Sequence, residues 1–311
     1  MPPSVKEPLI TIAIPTYNSA DRYLSLAIGS ALAQTYDNLD IVVSDNGSTD
    51  NTSDVVDGFG DTRVRYIRHE KGLGPNGNFN FCLNEAKGAY TLLLHDDDLI
   101  DADYIATCME SAGFSTNHSF VRTGTRIIDW EGNVIREAQN IVDARTPEAL
   151  YRAWFNHKTE VYYCSTLFNT SALREIGGFR SPYNQLQDGY AIAALAPRCD
   201  WVDVQDVKAS FRKSPGQLTY SVPVKEWCGD FAELLDVMCE QLDGDVEEFR
   251  ERGKHFFGRL ARDRAQKKAT RLGRMKAGIT VARHFGPQYF PWGRLRALGR
   301  PFLHKPAPTS P

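Results

Sequence analysis

Short apolar runs alternating with segments of helical periodicity fill the first hundred residues, and they constrain the fold more than any other feature of the chain. Residues 9–14 (LITIAI) are apolar and largely β-branched and end at Pro15. The segment after Ser19 then places Tyr23, Leu24, Ala27, Ile28, Ala31 and Leu32 at i, i+3, i+4 spacing, so a strand is followed by a helix. Residues 40–44 (DIVVS) predict a second buried strand, turning at Asp45-Asn46-Gly47-Ser48 into a helix through Val56 capped by Thr49 or Asp50. A third strand is expected at 64–68, a helix at 78–86 stopped by Gly88, and a fourth strand at 89–94 running into His95-Asp96-Asp97-Asp98. Strands that alternate with helices imply an α/β layered domain on a largely parallel sheet.

The pattern loosens further on. A helix is expected at 104–112, a strand at 119–126, a turn at Glu131-Gly132-Asn133, a helix at 147–155 and an apolar stretch at 161–168. A helix ending at Gly177-Gly178, another at 189–195, and strands near Trp201 and Lys208 follow, so the sheet becomes mixed. From Lys225 the reading is mainly helical, with a boundary near residue 221.

Charge divides the chain at a similar place. Residues 1–249 hold 20 Lys+Arg against 37 Asp+Glu, a net of -17, whereas residues 250–311 hold 16 against Glu251 and Asp263, a net of +14. No apolar run approaches the roughly 18 residues of a spanning helix, so any membrane contact is expected to be peripheral. The N-terminal MPPSVKEP has no apolar leader, and the six cysteines form no C-x-x-C and no zinc-finger spacing. Reduced thiols in a cytoplasmic protein are therefore expected.

In an open α/β sheet, ligands bind beyond the carboxyl ends of the strands. That singles out Pro15-Thr16-Tyr17-Asn18, Ser44-Asp45-Asn46 and Asp96-Asp97-Asp98. On an extended backbone, Asp96 and Asp98 would share a face and Asp97 would turn away. Two adjacent carboxylates repel, and a hard divalent cation completed by a diphosphate resolves the repulsion; a solvated acidic turn is the other reading. The stretch Gly72-Leu73-Gly74-Pro75-Asn76-Gly77 satisfies G-x-G-x-x-G, with Asp96 about 20 residues on, and taken alone would suit a dinucleotide. Its preceding strand alternates charged with apolar residues, two β-α units come before it, and Pro75 lacks an N–H for pyrophosphate. A turn is the better reading, and an NAD-dependent oxidoreductase stays as the alternative.

Taken in order, IPTYN at 14–18, SDNGSTDNT at 44–52, the Gly-rich loop with Asn78, AKGAYTLLLHDDD at 86–98, and REIGGF at 174–179 with Asp188 resemble the family 2 glycosyltransferases of GT-A fold. The resemblance covers about residues 9–218. It implies two abutting Rossmann-like β/α/β halves on a central mixed sheet, a UDP- or dTDP-sugar donor, a divalent cation (Mn2+ or Mg2+) and inversion at the anomeric carbon. It divides the chain into a catalytic domain at 1–220, with the nucleotide-sugar part at about 9–100 and the acceptor side at about 101–220, and a basic helical extension at 221–311. It assigns Pro15, Thr16, Tyr17 and Asp45 to base and ribose, where a carboxylate can accept an imide N–H and a Tyr ring can stack. It carries Asn78 to the nucleotide pocket, Asp96 and Asp97 to the ribose and diphosphate region, and Asp98, shared with Asp96, to the metal.

Asp188 is the implied general base for an acceptor hydroxyl, and a helix N-cap role is compatible with it. Two departures stand out: Gln187 precedes it where the family usually has Glu, and SFRKSPGQ at 210–217 lacks the Arg-x-His of relatives. Arg212 or Lys213 is left to contact diphosphate, or to stand as a solvated charge. These departures keep open a non-catalytic nucleotide-sugar-binding protein. Cys164 reads as a small buried residue without chemistry.

From Phe257 the apolar residues Leu260, Ala261, Ala265, Ala269, Leu272, Met275, Ile279 and Ala282 keep helical spacing among many basic residues. Phe285, Tyr289, Phe290, Trp292 and Phe302 then interleave with Arg294, Arg296 and Arg300. Such a segment at 250–305 suits an anionic membrane surface, at about 1 kcal/mol per basic residue; packing on the acidic body is the second reading and nucleic acid the third. With a polysaccharide or lipid-linked glycan as acceptor, the expectation is a cytoplasmic enzyme, peripheral on the inner face of the membrane, with no nucleic-acid partner.

Overall fold

The computed structural model describes residues 7–214, 217–268 and 270–290. Its strands are β1 (Ile10–Thr16), β2 (Leu39–Asp45), β3 (Val64–Arg68), β4 (Tyr90–Leu93), β5 (Leu99–Ile100), β6 (Phe120–Ile128), β7 (Val134–Ala138), β8 (Thr166–Asn169) and β9 (Val202–Arg212). The helices are α1 (Leu24–Leu32), α2 (Thr52–Asp57), α3 (Gly74–Glu85), α4 (Tyr104–Ser111), α5 (Pro147–Phe155), α6 (Thr170–Glu175), α7 (Gln187–Leu195), α8 (Leu218–Ser221), α9 (Val224–Cys239), α10 (Val246–Gln266) and α11 (Arg271–Phe285).

All nine strands join one sheet in the order β3-β2-β1-β4-β8-β6-β9-β5, with β7 paired to β6. The first four are parallel, β8 runs antiparallel to both β4 and β6, and β6 is parallel to β9, so the sheet is mixed beyond β4. The alternation of β1 explains the layering: Ile10, Ile12 and Ile14 enter one core with Leu24 and Ile28 of α1 and Ile105 and Met109 of α4. Ala13 faces the other core with Val42 and Leu93, on the side of α3, α5, α7 and the C-terminal helices.

Four sequence expectations are corrected. The strands read near Trp201 and Lys208 are one eleven-residue strand, β9; two register shifts against β6, between Arg122 and Thr125, account for the broken alternation. Helix α3 opens at Gly74 rather than Asn78, because Pro75 suits a first turn. The turn at 131–133 leads into β7, which sequence reading passed over. The helical periodicity from Phe257 is not one helix: α10 ends at Gln266, and α11 starts afresh with the Thr270 hydroxyl accepting the Gly273 N–H at 3.0 Å.

The apolar face of the basic segment is largely spent on packing. Phe249, Phe256, Phe257 and Ala261 of α10 and Val281 and Phe285 of α11 lie in one cluster with Leu150, Trp154 and Phe155 of α5 and Trp227, Phe231 and Leu234 of α9. Each Phe, Leu and Val among them contributes about 1.5–3 kcal/mol by burial. Among the described residues no helix is long and apolar enough to cross a membrane. Ala269, Trp292, Arg294, Arg296, Arg300 and Phe302 lie outside the described residues.

Candidate functional site

The parallel half of the sheet brings three loops together. Thr16, at the end of β1, is the register partner of Asp45 at the end of β2. The Thr16 hydroxyl also donates to Asp96 Oδ2 at 2.7 Å, tying in the loop after β4. Pro15 and Thr16 are buried in the sheet, whereas Tyr17 is 54% exposed, with its ring available to a ligand. Both oxygens of the buried Asp45 are engaged: Oδ2 accepts the Tyr66 hydroxyl at 2.6 Å and Oδ1 the Ser48 N–H at 2.8 Å, with Arg68 3.9 Å away. Asn78 is also buried, and its side chain is tied to Ser44, accepting from its hydroxyl at 2.6 Å and donating to its carbonyl at 2.9 Å. Asn46 Oδ1 accepts the Leu73 N–H at 2.6 Å. A Cβ on Gly72 would stand 2.9 Å from the Asn46 carbonyl, so the Gly-rich loop needs glycine there for close approach. That loop follows β3, the half-buried edge strand of the sheet, which removes the case for a dinucleotide fingerprint on a buried central strand.

The acidic loop does not run extended. The chain turns at Asp96-Asp97, with the Asp98 N–H donating to the His95 carbonyl at 3.1 Å. The shared face expected for Asp96 and Asp98 is therefore not formed. The groups whose ligand atoms lie within 4.8 Å of one another are His95, Asp97 and Asp98. Asp98 is buried rather than an exposed strand-end carboxylate, and burial, then the neighbouring Asp97, pushes its carboxyl well above the usual range. Burial raises Asp96 and Asp97 as well.

His95 escaped the sequence reading, although it directly precedes the acids. Its ring stacks on Phe79 at 4.9 Å and tilts against Tyr163 at 4.9 Å. Burial holds its pKa down to about 4, so the imidazole is neutral, and its Nε2 is buried without a hydrogen-bond partner. Oxygen ligands that resist shedding their protons and an orphaned neutral imidazole nitrogen are the donor set a divalent cation would satisfy.

Asp188 lies in the first turn of α7. It is not the N-cap, because the helix already begins at Gln187. Its Oδ1 accepts the Gly189 N–H at 2.8 Å, yet burial dominates and pushes the carboxyl up to about 7, a value suited to a general base. Gln187 connects this turn to the acidic loop: its Oε1 accepts the Tyr163 hydroxyl at 3.3 Å, and its Nε2 donates to Asn76 Oδ1 at 3.2 Å. Tyr163 is the ring that meets His95.

Arg212 is buried behind the acidic loop. Its Nε donates to the Asp97 carbonyl at 2.8 Å and its Nη1 to the Asp129 carbonyl at 3.2 Å, and its guanidinium lies 4.2 Å from the Tyr23 ring centre. This position braces the loop and the β6–β7 hairpin. Gln217 Nε2 donates to Asp97 Oδ2 at 3.2 Å. Cys164 is fully buried.

Comparison with known proteins accords with this geometry. The family described as glycosyl transferase family 2 matches residues 11–177. A GalNAc(5)-diNAcBac-PP-undecaprenol beta-1,3-glucosyltransferase of Campylobacter jejuni is 35% identical over 133 residues, 42% of each chain. The chondroitin synthase of Escherichia coli is 34% identical over 136 residues, 43% of this chain and 19% of that one. The chain thus matches less than half the length of these relatives. Among solved structures, S. aureus TarS 1-349 in complex with UDP-GlcNAc superimposes with a TM-score of 0.64 at 16% identity, over 90% of this chain and 82% of that one. A mannosyltransferase from Pyrobaculum calidifontis in complex with GDP-Man and Mn2+ gives 0.55 at 16% identity, over 94% and 85%.

Proposed function

The chain belongs to glycosyl transferase family 2 and has the GT-A fold, and on that premise we propose that it transfers one sugar, with inversion, from a UDP- or dTDP-sugar to a hydroxyl of a lipid-linked glycan or polysaccharide. The observation that carries the reading is the convergence on Thr16: one hydroxyl joins the ends of β1 and β4 beside Asp45, and the cation-ready cluster of His95, Asp97 and Asp98 follows directly. The solved neighbours that hold UDP-GlcNAc or GDP-Man with Mn2+, and the relative named for an undecaprenol-linked acceptor, support the donor and acceptor classes.

In this reading Tyr17 stacks on the base, and Asp45, Asn78 and Ser44 shape the wall against which it rests. Asp96 and Thr16 face the ribose. His95, Asp97 and Asp98 would hold a divalent cation, Mn2+ in preference to Mg2+ because of the imidazole ligand, and the cation supplies Lewis-acid charge to the departing diphosphate. Arg212 adds fixed positive charge behind Asp97. Asp188, ionised above about pH 7, takes the proton of the attacking hydroxyl on the opposite face of the sugar. Residues 1–220 form the catalytic part, and the helices after 221 buttress its acceptor side. The exposed basic residues of α10 and α11 rest on anionic lipid at the inner face of the membrane.

A donor screen tests the reading. Full-length protein with UDP-glucose, UDP-GlcNAc, UDP-GalNAc or dTDP-glucose should release the nucleoside diphosphate with Mn2+ and stop with EDTA. No nucleoside diphosphate release from any of these donors, and no thermal stabilisation by UDP with Mn2+, would overturn it.

A further inference from the structure

The loop that delivers Asp188 is held by a residue of the C-terminal helices. Asp230, on α9, is completely buried, and its carboxylate accepts three hydrogen bonds from residues 181–185. Oδ1 takes the Tyr183 N–H at 2.8 Å; Oδ2 takes the Gln185 N–H at 2.8 Å and the Ser181 hydroxyl at 2.7 Å. Ser181 Oγ in turn accepts from the Gln185 N–H at 3.2 Å and the Leu186 N–H at 3.4 Å. This knot includes the left-handed Asn184 (φ 55°), whose carbonyl accepts from Gln187 Nε2 at 3.0 Å. Helix α7 begins at that glutamine, one residue before Asp188.

Two glycines permit the contact. A Cβ on Gly229 would lie 2.2 Å from the Tyr183 ring, which rests on α9 and remains 38% exposed. A Cβ on Gly189 would meet Leu234 of α9 at 3.1 Å and Trp154 at 3.2 Å. Helix α9 therefore touches the base-bearing turn on both sides of Asp188, before it and after it.

We propose that Asp230 is a positioning residue for the transfer reaction, clasping Ser181–Gln185 so that the first turn of α7 presents Asp188 at a fixed place beside Gln187 and Tyr163. The proposal rests on the assignment of Asp188 as base. A buried carboxylate with three convergent donors is a stiff anchor, because losing it leaves buried N–H groups unsatisfied. A displacement of about 1 Å at a reacting group costs on the order of 10²-fold in rate.

The test uses full-length protein and three variants. In Asp230→Asn the single oxygen can still serve Gln185 and Ser181, but the amide NH2 confronts the Tyr183 N–H; Ser181→Ala removes one donor and keeps the rest. Asp188→Asn is the reference. Expected results are a fall in kcat of about 10- to 100-fold for Asp230→Asn and a smaller fall for Ser181→Ala, with UDP affinity in Mn2+ unchanged in both. Asp188→Asn with Asp230→Asn should be no slower than Asp188→Asn alone, since the second change acts only through the first. Hydrogen exchange should quicken at Tyr183, Gln185 and the first turn of α7, but not along the rest of α9. Normal transfer by Asp230→Asn, or unchanged exchange in that segment, overturns the proposal. Normal transfer by Asp188→Asn overturns the base assignment instead. Loss of UDP affinity in step with kcat would reduce Asp230 to a fold residue.

Discussion

The Asp98 carboxylate accepts the backbone N–H of Arg212 at 2.9 Å, joining residues 114 apart in the chain. Arg212 then returns to the same loop with its side chain, donating to the Asp97 carbonyl at 2.8 Å while stacking on Tyr23. The acidic loop is thus held from behind by the end of β9, which fixes its carboxylates in place.

Asp98 should prove both structural and functional. Asp98→Asn keeps an acceptor for the Arg212 N–H, so its stability to urea should stay within about 1 kcal/mol of the parent, while Mn2+-dependent UDP binding in a calorimeter is lost. Asp98→Ala strands a buried donor and should cost roughly 1–3 kcal/mol in addition. Equal urea midpoints for the two variants would contradict the role of this bond.

Arg212→Lys tests the brace. One ammonium cannot reach the carbonyls of Asp97 and Asp129 and also stack on Tyr23, so a loss of about 1–3 kcal/mol is expected. Limited proteolysis should begin at the turn of the β6–β7 hairpin, around Glu131-Gly132. An unchanged cleavage pattern would mean that the hairpin is held by other contacts.

The raised carboxyl of Asp188 gives two pH signatures. As the proposed base, Asp188 acts as a carboxylate, so turnover should rise with pH and reach half its plateau near 7, the value that burial imposes. For stability the sign is opposite. Between the unfolded value of 3.8 and about 7 the folded chain binds the extra proton, so stability falls as pH rises across that window, by an upper bound of roughly 4 kcal/mol. Asp188→Asn removes this slope. Its Tm should therefore gain on the parent between pH 4 and 8, and melting curves at several pH values check it.

The C-terminal helices should not be separable from the body. Phe257 is fully buried, and Phe257→Ala should cost about 3–5 kcal/mol. Deleting everything after residue 250 removes several such side chains and should exceed the 5–15 kcal/mol of a typical domain. Lipid contact is better tested by reversing the exposed Arg259 and Arg262. Cosedimentation of the full-length protein with anionic vesicles should weaken with little change in Tm.

The parallel half of the fold was legible because β1, β2 and β4 are apolar on both faces and their loops announce themselves with Pro, Gly and Asp. The mixed half was harder: β9 carries Asp203, Gln205, Asp206 and Lys208 within a strand that shifts register against β6, so its period of two is broken. Of the proposed site residues, Thr16 and Asp45 stand out at strand ends, and Asp188 only through the resemblance to the family. His95 and Asp230 do not. The pairing of Asp96 with Asp98 assumed extended chain where the backbone turns. Asp230 acts across 45 to 49 residues on a loop whose shape no local pattern encodes.

Strand order also sets the timetable of assembly. The partners of β1 are complete once residue 93 has emerged, whereas β6, buried along nearly its whole length, gains its parallel neighbour only when residues 202–212 are made. Until then Arg122 sits on a growing chain without Asp203, its counter-ion at 2.5 Å in the finished sheet. Strands β7 and β8 can take one edge of β6 before then, so in this order the opposite edge is the part of the sheet that stays unpaired longest during synthesis.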